Sequence, residues 1–192
     1  MPGKRQKTVQ GRPSETTKSS LKNIAKGVRL LILDVDGVLT DGSIILDNNG
    51  NEYKAFHVRD GHGIKMLQNA GVKIAIITGR YSKVVERRAR ELGITEVFQK
   101  CLQKKSVYSR LLTKYGITQA EVAYVGDDIV DVPILASVGM PVAVADADEA
   151  TKKFALLVTR NRGGRGAVRE VTDFILRAKG LWQGMFDAYL ED

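Results

Sequence analysis

The stretch Val28-Arg-Leu-Leu-Ile-Leu-Asp-Val-Asp-Gly-Val-Leu-Thr40 decides the fold. Its first half is a short apolar run, unbroken from Leu30 to Leu33, that ends on a carboxylate, the pattern of a strand buried on both faces of a parallel sheet. Runs of the same kind recur at residues 72–78, 121–126 and 141–145, with a weaker one at 155–158. The stretches between them, residues 63–70, 82–92, 104–115, 129–137 and 166–178, carry helical patterning. Strand and helix therefore alternate, which predicts an α/β fold with a doubly wound parallel sheet. One segment departs from the alternation: residues 43–56 place two β-prone arms about Asp47-Asn-Asn-Gly-Asn51, a β-hairpin signal.

At 192 residues, with 43% hydrophobic and 27% charged side chains, the chain is long enough for one well-buried core. Its net charge of +8 is concentrated at the start, where residues 1–27 hold seven Lys and Arg against the single acid Glu15, a net +6. That stretch has no aromatic residue and is read as a disordered basic tail. Residues 28–180 are then the folded domain, and residues 181–192 a C-terminal extension of helical character. The tail's charges are dispersed and have no stacking platform beside them, so no nucleic-acid partner is expected. Cys101 is alone, which argues against a disulfide framework or a cysteine zinc cluster and suits a reducing compartment. No apolar run reaches membrane-spanning length, and the first residues lack the apolar core of a signal peptide. The expected location is the cytoplasm, with no membrane partner.

In an open α/β sheet, ligands gather beyond the carboxyl ends of the strands. Three runs end there in polar residues: Asp34-Val-Asp36-Gly37, Thr78-Gly79-Arg80 and Gly126-Asp127-Asp128-Ile-Val-Asp131. Each alone is ordinary, since Asp caps helices and Thr-Gly-Arg occurs in turns. Together they gather carboxylates about one point, an arrangement that needs a cation. An all-oxygen ligand set suits Mg2+ rather than zinc.

The order of these segments, with a lysine opening a helix between the second and the third, resembles the four motifs of the haloacid dehalogenase superfamily. The resemblance implies a Rossmann-like haloacid dehalogenase core and phosphoryl transfer. By it, Asp34 is the nucleophile that takes the phosphoryl group and Asp36 the general acid and then base. Lys104, favoured over Lys105, is the cation that holds Asp34 and the phosphate, and Thr78 gives a hydroxyl to the phosphoryl oxygens. Mg2+ is held by Asp34, the backbone carbonyl of Asp36 and Asp127, with Asp128 and Asp131 supporting the metal shell and its loop.

Only 29 residues separate Gly42 from Val72, and 25 separate Thr78 from Lys104, too few for a cap domain once a helix is subtracted. A capless member is expected. The segments His57-Val-Arg-Asp-Gly-His-Gly-Ile64, Val142-Ala-Val-Ala-Asp146 and Gly163-Gly-Arg-Gly-Ala-Val-Arg-Glu170 are similar to the capless branch that acts on small acidic sugar phosphates. That resemblance implies 3-deoxy-D-manno-octulosonate 8-phosphate, a lipopolysaccharide precursor, as substrate, with a nonulosonate 9-phosphate as the alternative. Arg59, Gly79, Arg80 and Arg165 would contact it. The hairpin, through Ile44 and Phe56, would assemble a homotetramer whose subunits shield each other's sites.

A phosphoacceptor receiver domain also joins an α/β sheet, acids, a Thr and a Lys around Mg2+. It carries its acid pair after the first strand and a lone acceptor Asp after a middle strand, where this chain has Thr78. The Asp34-x-Asp36 spacing also supplies the acid and base that turnover needs. His57 and His62 are read as structural, Cys101 as a packed thiol, and Trp182, Phe186 and Tyr189 as one packing face of a helix.

Overall fold

The computed structural model describes residues 15–191. Its main sheet comprises β1 (Leu30–Leu33), β4 (Lys73–Ile77), β5 (Glu96–Phe98), β6 (Val122–Gly126), β7 (Met140–Ala143) and β8 (Leu157–Val158). Every pairing is parallel, in the order β5-β4-β1-β6-β7-β8. The remaining strands, β2 (Ile45–Leu46) and β3 (Glu52–Tyr53), pair antiparallel as the expected hairpin. Leu30 of β1 lies opposite Lys73 on one flank and Val122 on the other. From β1 the chain moves outward to β4 and β5 and then crosses to β6 on the opposite flank. That reversal opens a crevice at the carboxyl ends of β1, β4 and β6.

The two-residue period of a strand divides β1 between two cores. Leu31 and Leu33 enter the first, and Leu30 and Ile32 the second. The first core is covered by α1 (Glu15–Gly27), α2 (Val58–Asn69), α3 (Lys83–Glu91) and α7 (Ala167–Ala178). On the other face lie α4 (Lys104–Tyr115) and α5 (Val132–Leu135). Short α6 (Glu149–Lys152) leads to β8, and α8 (Trp182–Ala188) closes the described chain. Between β1 and β4 lie only the hairpin and α2, and between β4 and α4 only α3 and β5, so no cap domain is inserted.

The expectation of a disordered tail through residue 27 is corrected from Glu15 onward, where α1 begins. Leu21, Ile24, Ala25 and Val28 recur at helical spacing. Ala25 and Val28 are buried, and Ile24 packs against the same core. A composition averaged over the whole stretch conceals so narrow an apolar stripe. Residues 1–14 lie outside the described residues. The helix expected over residues 129–137 is a 3-10 turn, Ile129–Asp131, followed by the shorter α5. The C-terminal extension is helical in α8, where Trp182 lies against the guanidinium of Arg177 at 4.1 Å. No described helix is long and apolar enough to cross a membrane.

Candidate active site

Where β1 ends, the Asp34 amide still donates to the carbonyl of Val125 at 3.1 Å, which fixes this residue at the rim of the sheet. A tight turn follows, in which the amides of Val38, Leu39 and Thr40 all donate to the Val35 carbonyl. It returns Asp36 to the same opening. Within it Gly37 has φ 85°, and a Cβ there would collide with the Asp127 carboxylate. The Asp34 segment therefore packs directly on the Asp127 segment.

Beyond β6, the Asp128 carboxylate accepts from the Ile129 amide at 2.7 Å and starts the 3-10 turn. That turn buries Asp131 completely beneath the site. Its Oδ2 accepts from the Asp127 amide at 3.0 Å, while Oδ1 accepts from the Tyr124 hydroxyl at 2.5 Å and Lys104 Nζ at 2.7 Å. Lys104 opens α4 and is buried, whereas Lys105 is exposed. Its ammonium also lies 3.0 Å from Asp34 Oδ2. One open cleft of about 310 Å³ is lined by Asp34 and Asp36, by Thr78 through Arg80, and by Lys104, Asp127 and Asp128.

Burial raises the Asp34 carboxyl from 3.8 to about 7, with the charge of Asp131 adding to the effect and Lys104 opposing it. Burial likewise raises Asp127 to about 8, reinforced by the charges of Asp34, Asp131 and Asp128. Oxygens of Asp34, Asp127 and Asp131 lie within 4.8 Å of one another. Oδ1 of Asp34 is buried with no hydrogen-bond partner among the described residues, a costly state for an acceptor. An orphaned carboxylate oxygen among crowded acids fits a divalent cation. Both oxygens of Asp131 are already engaged by donors, which leaves Asp34 and Asp127 as the carboxylates free to coordinate.

Arg59 and Arg165 do not line this cleft. They line a second one together with His57, Arg160 and Arg169, and Arg165 reaches Asp41 Oδ2 at 3.1 Å. Arg59 stands at the start of α2 and Arg165 just before α7, so within a single chain both line the second cleft. Arg80 stands at the cleft, 3.4 Å from Glu52 Oε1 and 3.9 Å from Asp36 Oδ2. Sequence reasoning missed Glu52 and Lys54: the Lys54 ammonium pairs with Asp36 Oδ1. Nothing in the spacing marks a hairpin lysine as turned inward. Tyr124 was missed as well, an aromatic residue within an apolar strand whose hydroxyl alone is polar.

His57 Nδ1 lies 3.9 Å from Asp60 Oδ2 at the start of α2, and His62 Nε2 lies 3.2 Å from the Tyr189 hydroxyl. Both stand outside the cleft. Cys101 is the packed thiol expected: half-buried, it packs against the second core while also lining the cleft wall, and burial raises its pKa.

The haloacid dehalogenase-like hydrolase family model matches residues 58–139. The 3-deoxy-D-manno-octulosonate 8-phosphate phosphatase of Escherichia coli K12 is 53% identical over 156 residues, which cover 81% of this chain and 83% of that protein. The crystal structure of the phosphatase of that name from Yersinia pestis superposes with a TM-score of 0.84 at 49% identity, covering 85% of this chain and 89% of that one. Its Moraxella catarrhalis counterpart, solved with a magnesium ion, a phosphate ion and KDO, gives a TM-score of 0.87 at 38% identity, with 89% and 98% covered.

Proposed function

The chain belongs to the haloacid dehalogenase-like hydrolases, in the branch of the 3-deoxy-D-manno-octulosonate 8-phosphate phosphatases, and on that premise we propose that it hydrolyses 3-deoxy-D-manno-octulosonate 8-phosphate to the free sugar acid and phosphate. This makes it a phosphoric monoester hydrolase of lipopolysaccharide precursor synthesis. The observation that carries the reading is the convergence of Asp34, Asp36, Lys104 and Asp127 on one cleft.

Asp34 attacks phosphorus, so that a carboxylate O–P bond forms as the ester P–O bond breaks, and Asp36 gives a proton to the departing sugar oxygen. Water then attacks the aspartyl phosphate, Asp36 takes its proton, and phosphate leaves with Asp34 restored. Lys104, held between Asp34 and Asp131, keeps a positive charge beside the nucleophile and the incoming phosphate. Thr78 and the amides near Gly79 serve as donors to the phosphoryl oxygens. Mg2+ fits the Asp34 and Asp127 carboxylates and the Asp36 carbonyl, with Asp128 and Asp131 ordering the loop, and when bound it neutralises charge on the phosphoryl group.

An arginine at the cleft, Arg80, suits an acidic sugar. The cleft has no cap, and the hairpin exposes Ile44 by 58% and Leu46 by 61%. Those features support a homotetramer in which hairpins pack together and Arg59 and Arg165 serve a neighbour's cleft, and the cytoplasm is the location we propose for it. Phosphate release from a panel of acidic sugar phosphates, with and without Mg2+, tests the reading. The 8-phosphate named above should give the highest kcat/KM. A higher value for a nonulosonate 9-phosphate would change the sugar and keep the chemistry, and no Mg2+-dependent release from any ester would refute both.

A further inference from the structure

Around Asp36 the structure closes a ring of alternating charge. Lys54 Nζ pairs with Asp36 Oδ1 and lies 3.5 Å from Glu52 Oε1. Arg80 Nη2 lies 3.4 Å from the same Glu52 oxygen, and its Nε lies 3.9 Å from Asp36 Oδ2. Glu52 belongs to β3 of the hairpin and Lys54 follows it, whereas Arg80 follows β4 and Asp36 follows β1. Tyr53 and Ala55, on either side of Lys54, are exposed, yet the Lys54 side chain is only 1% exposed. Lysine ordinarily carries its ammonium out to water. Here it turns inward onto two carboxylates.

We infer that Lys54 is a positioning residue for Asp36 in phosphoryl transfer, an inference that rests on the acid–base role proposed for Asp36. An ammonium has three donors and no acceptor, so it faces only an unprotonated carboxylate oxygen. With Lys54 on Oδ1, the transferable proton is confined to Oδ2. The Arg80 Nε at 3.9 Å is beyond hydrogen-bonding reach of that oxygen. Without the lysine, the broad terminal torsion of an aspartate would present either oxygen to the cleft. In the first step the proton passes from Oδ2 to the departing sugar oxygen as the P–O bond breaks. In the second, water returns a proton to Oδ2 as its oxygen bonds to phosphorus, so the cycle balances. Glu52 compensates the charge of Lys54, and the seating of the hairpin thereby sets the aim of the acid.

The test compares Lys54→Met, Lys54→Arg and Glu52→Gln with the unmodified enzyme by kcat/KM on the sugar phosphate and on p-nitrophenyl phosphate. This parameter covers the steps through departure of the alcohol, and nitrophenolate leaves without a proton. Lys54→Met should lower kcat/KM on the sugar phosphate by about 100-fold, within the range of a general acid, and on the aryl ester by less than about 3-fold. Lys54→Arg should recover most of the loss. Equal losses on both esters, or no loss on either, would overturn the positioning role. Should Lys54→Met fail to fold, Glu52→Gln decides by the same ratio, a preferential loss on the sugar phosphate supporting the role and any other outcome overturning it. Failure of the phosphatase reading is distinguished by Asp34→Asn, which would then leave both activities standing.

Discussion

Lys104 Nζ lies 2.7 Å from Asp131 Oδ1, and neither side chain is more than 5% exposed. Asp131 thus holds the lysine that serves Asp34, and its second oxygen holds the amide that places Asp127. One buried carboxylate orients both the cation and the loop of the site.

Replacing Asp131 by alanine leaves a buried ammonium with Asp34 as its only remaining carboxylate partner among the described residues and frees the Asp127 amide. Removing one partner from a buried pair costs about 3 kcal/mol or more. Urea unfolding should show a loss on that scale, and kcat on the sugar phosphate should fall by roughly 100-fold as Lys104 and Asp127 lose their positions. Near-normal stability would mean that Asp131 does not hold the lysine in solution.

The metal-free protein should lose stability as pH rises. Asp34 and Asp127 titrate near 3.8 when unfolded but at about 7 and about 8 when folded. Between those limits the folded state binds more protons than the unfolded one, so the free energy of unfolding decreases with pH until both groups are ionised in both states. In EDTA the thermal midpoint should decline from about pH 5 to about pH 8. Mg2+ should raise it more at the upper end, because its ligands must be deprotonated. A midpoint that climbs across this window without metal would contradict the crowding of these acids.

Much of this arrangement was legible in the chain. Unbroken apolar runs such as Leu30 to Leu33 mark strands buried on both faces, and the polar residues that end them mark where chemistry gathers. Other parts depend on tertiary context. β5 is three residues long and lies at the sheet edge, too short for a periodicity. The apolar stripe of α1 is diluted by polar neighbours, and the inward turn of Lys54 is set by Asp36 and Glu52, far from it in the Asp36 case. Arg59 and Arg165 enter the substrate reading only through the resemblance of their segments, while within this chain the fold lines a different cleft with them.

Charged replacements in the hairpin should separate assembly from chemistry. Ile44→Asp with Leu46→Asp alters two exposed side chains and should leave the fold intact. Light scattering should then show a smaller particle and kinetics a raised KM for the sugar phosphate, with aryl phosphate hydrolysis retained. Phe56 is unsuited to this test, since it packs on the core with Arg88 at 5.8 Å from its ring. An unmodified protein that is monomeric at assay concentration and fully active on the sugar phosphate would overturn the shared cleft.

The most direct measurement is phosphate release from 3-deoxy-D-manno-octulosonate 8-phosphate by the unmodified protein and by Asp34→Asn, each in Mg2+ and in EDTA. Asparagine keeps the volume of the side chain but cannot accept the phosphoryl group. Turnover is predicted for the unmodified protein in Mg2+ alone, with loss of nearly all activity in the variant despite an unchanged circular dichroism spectrum. Undiminished release by Asp34→Asn, with deamidation excluded by mass spectrometry, would contradict catalysis through an aspartyl phosphate at Asp34.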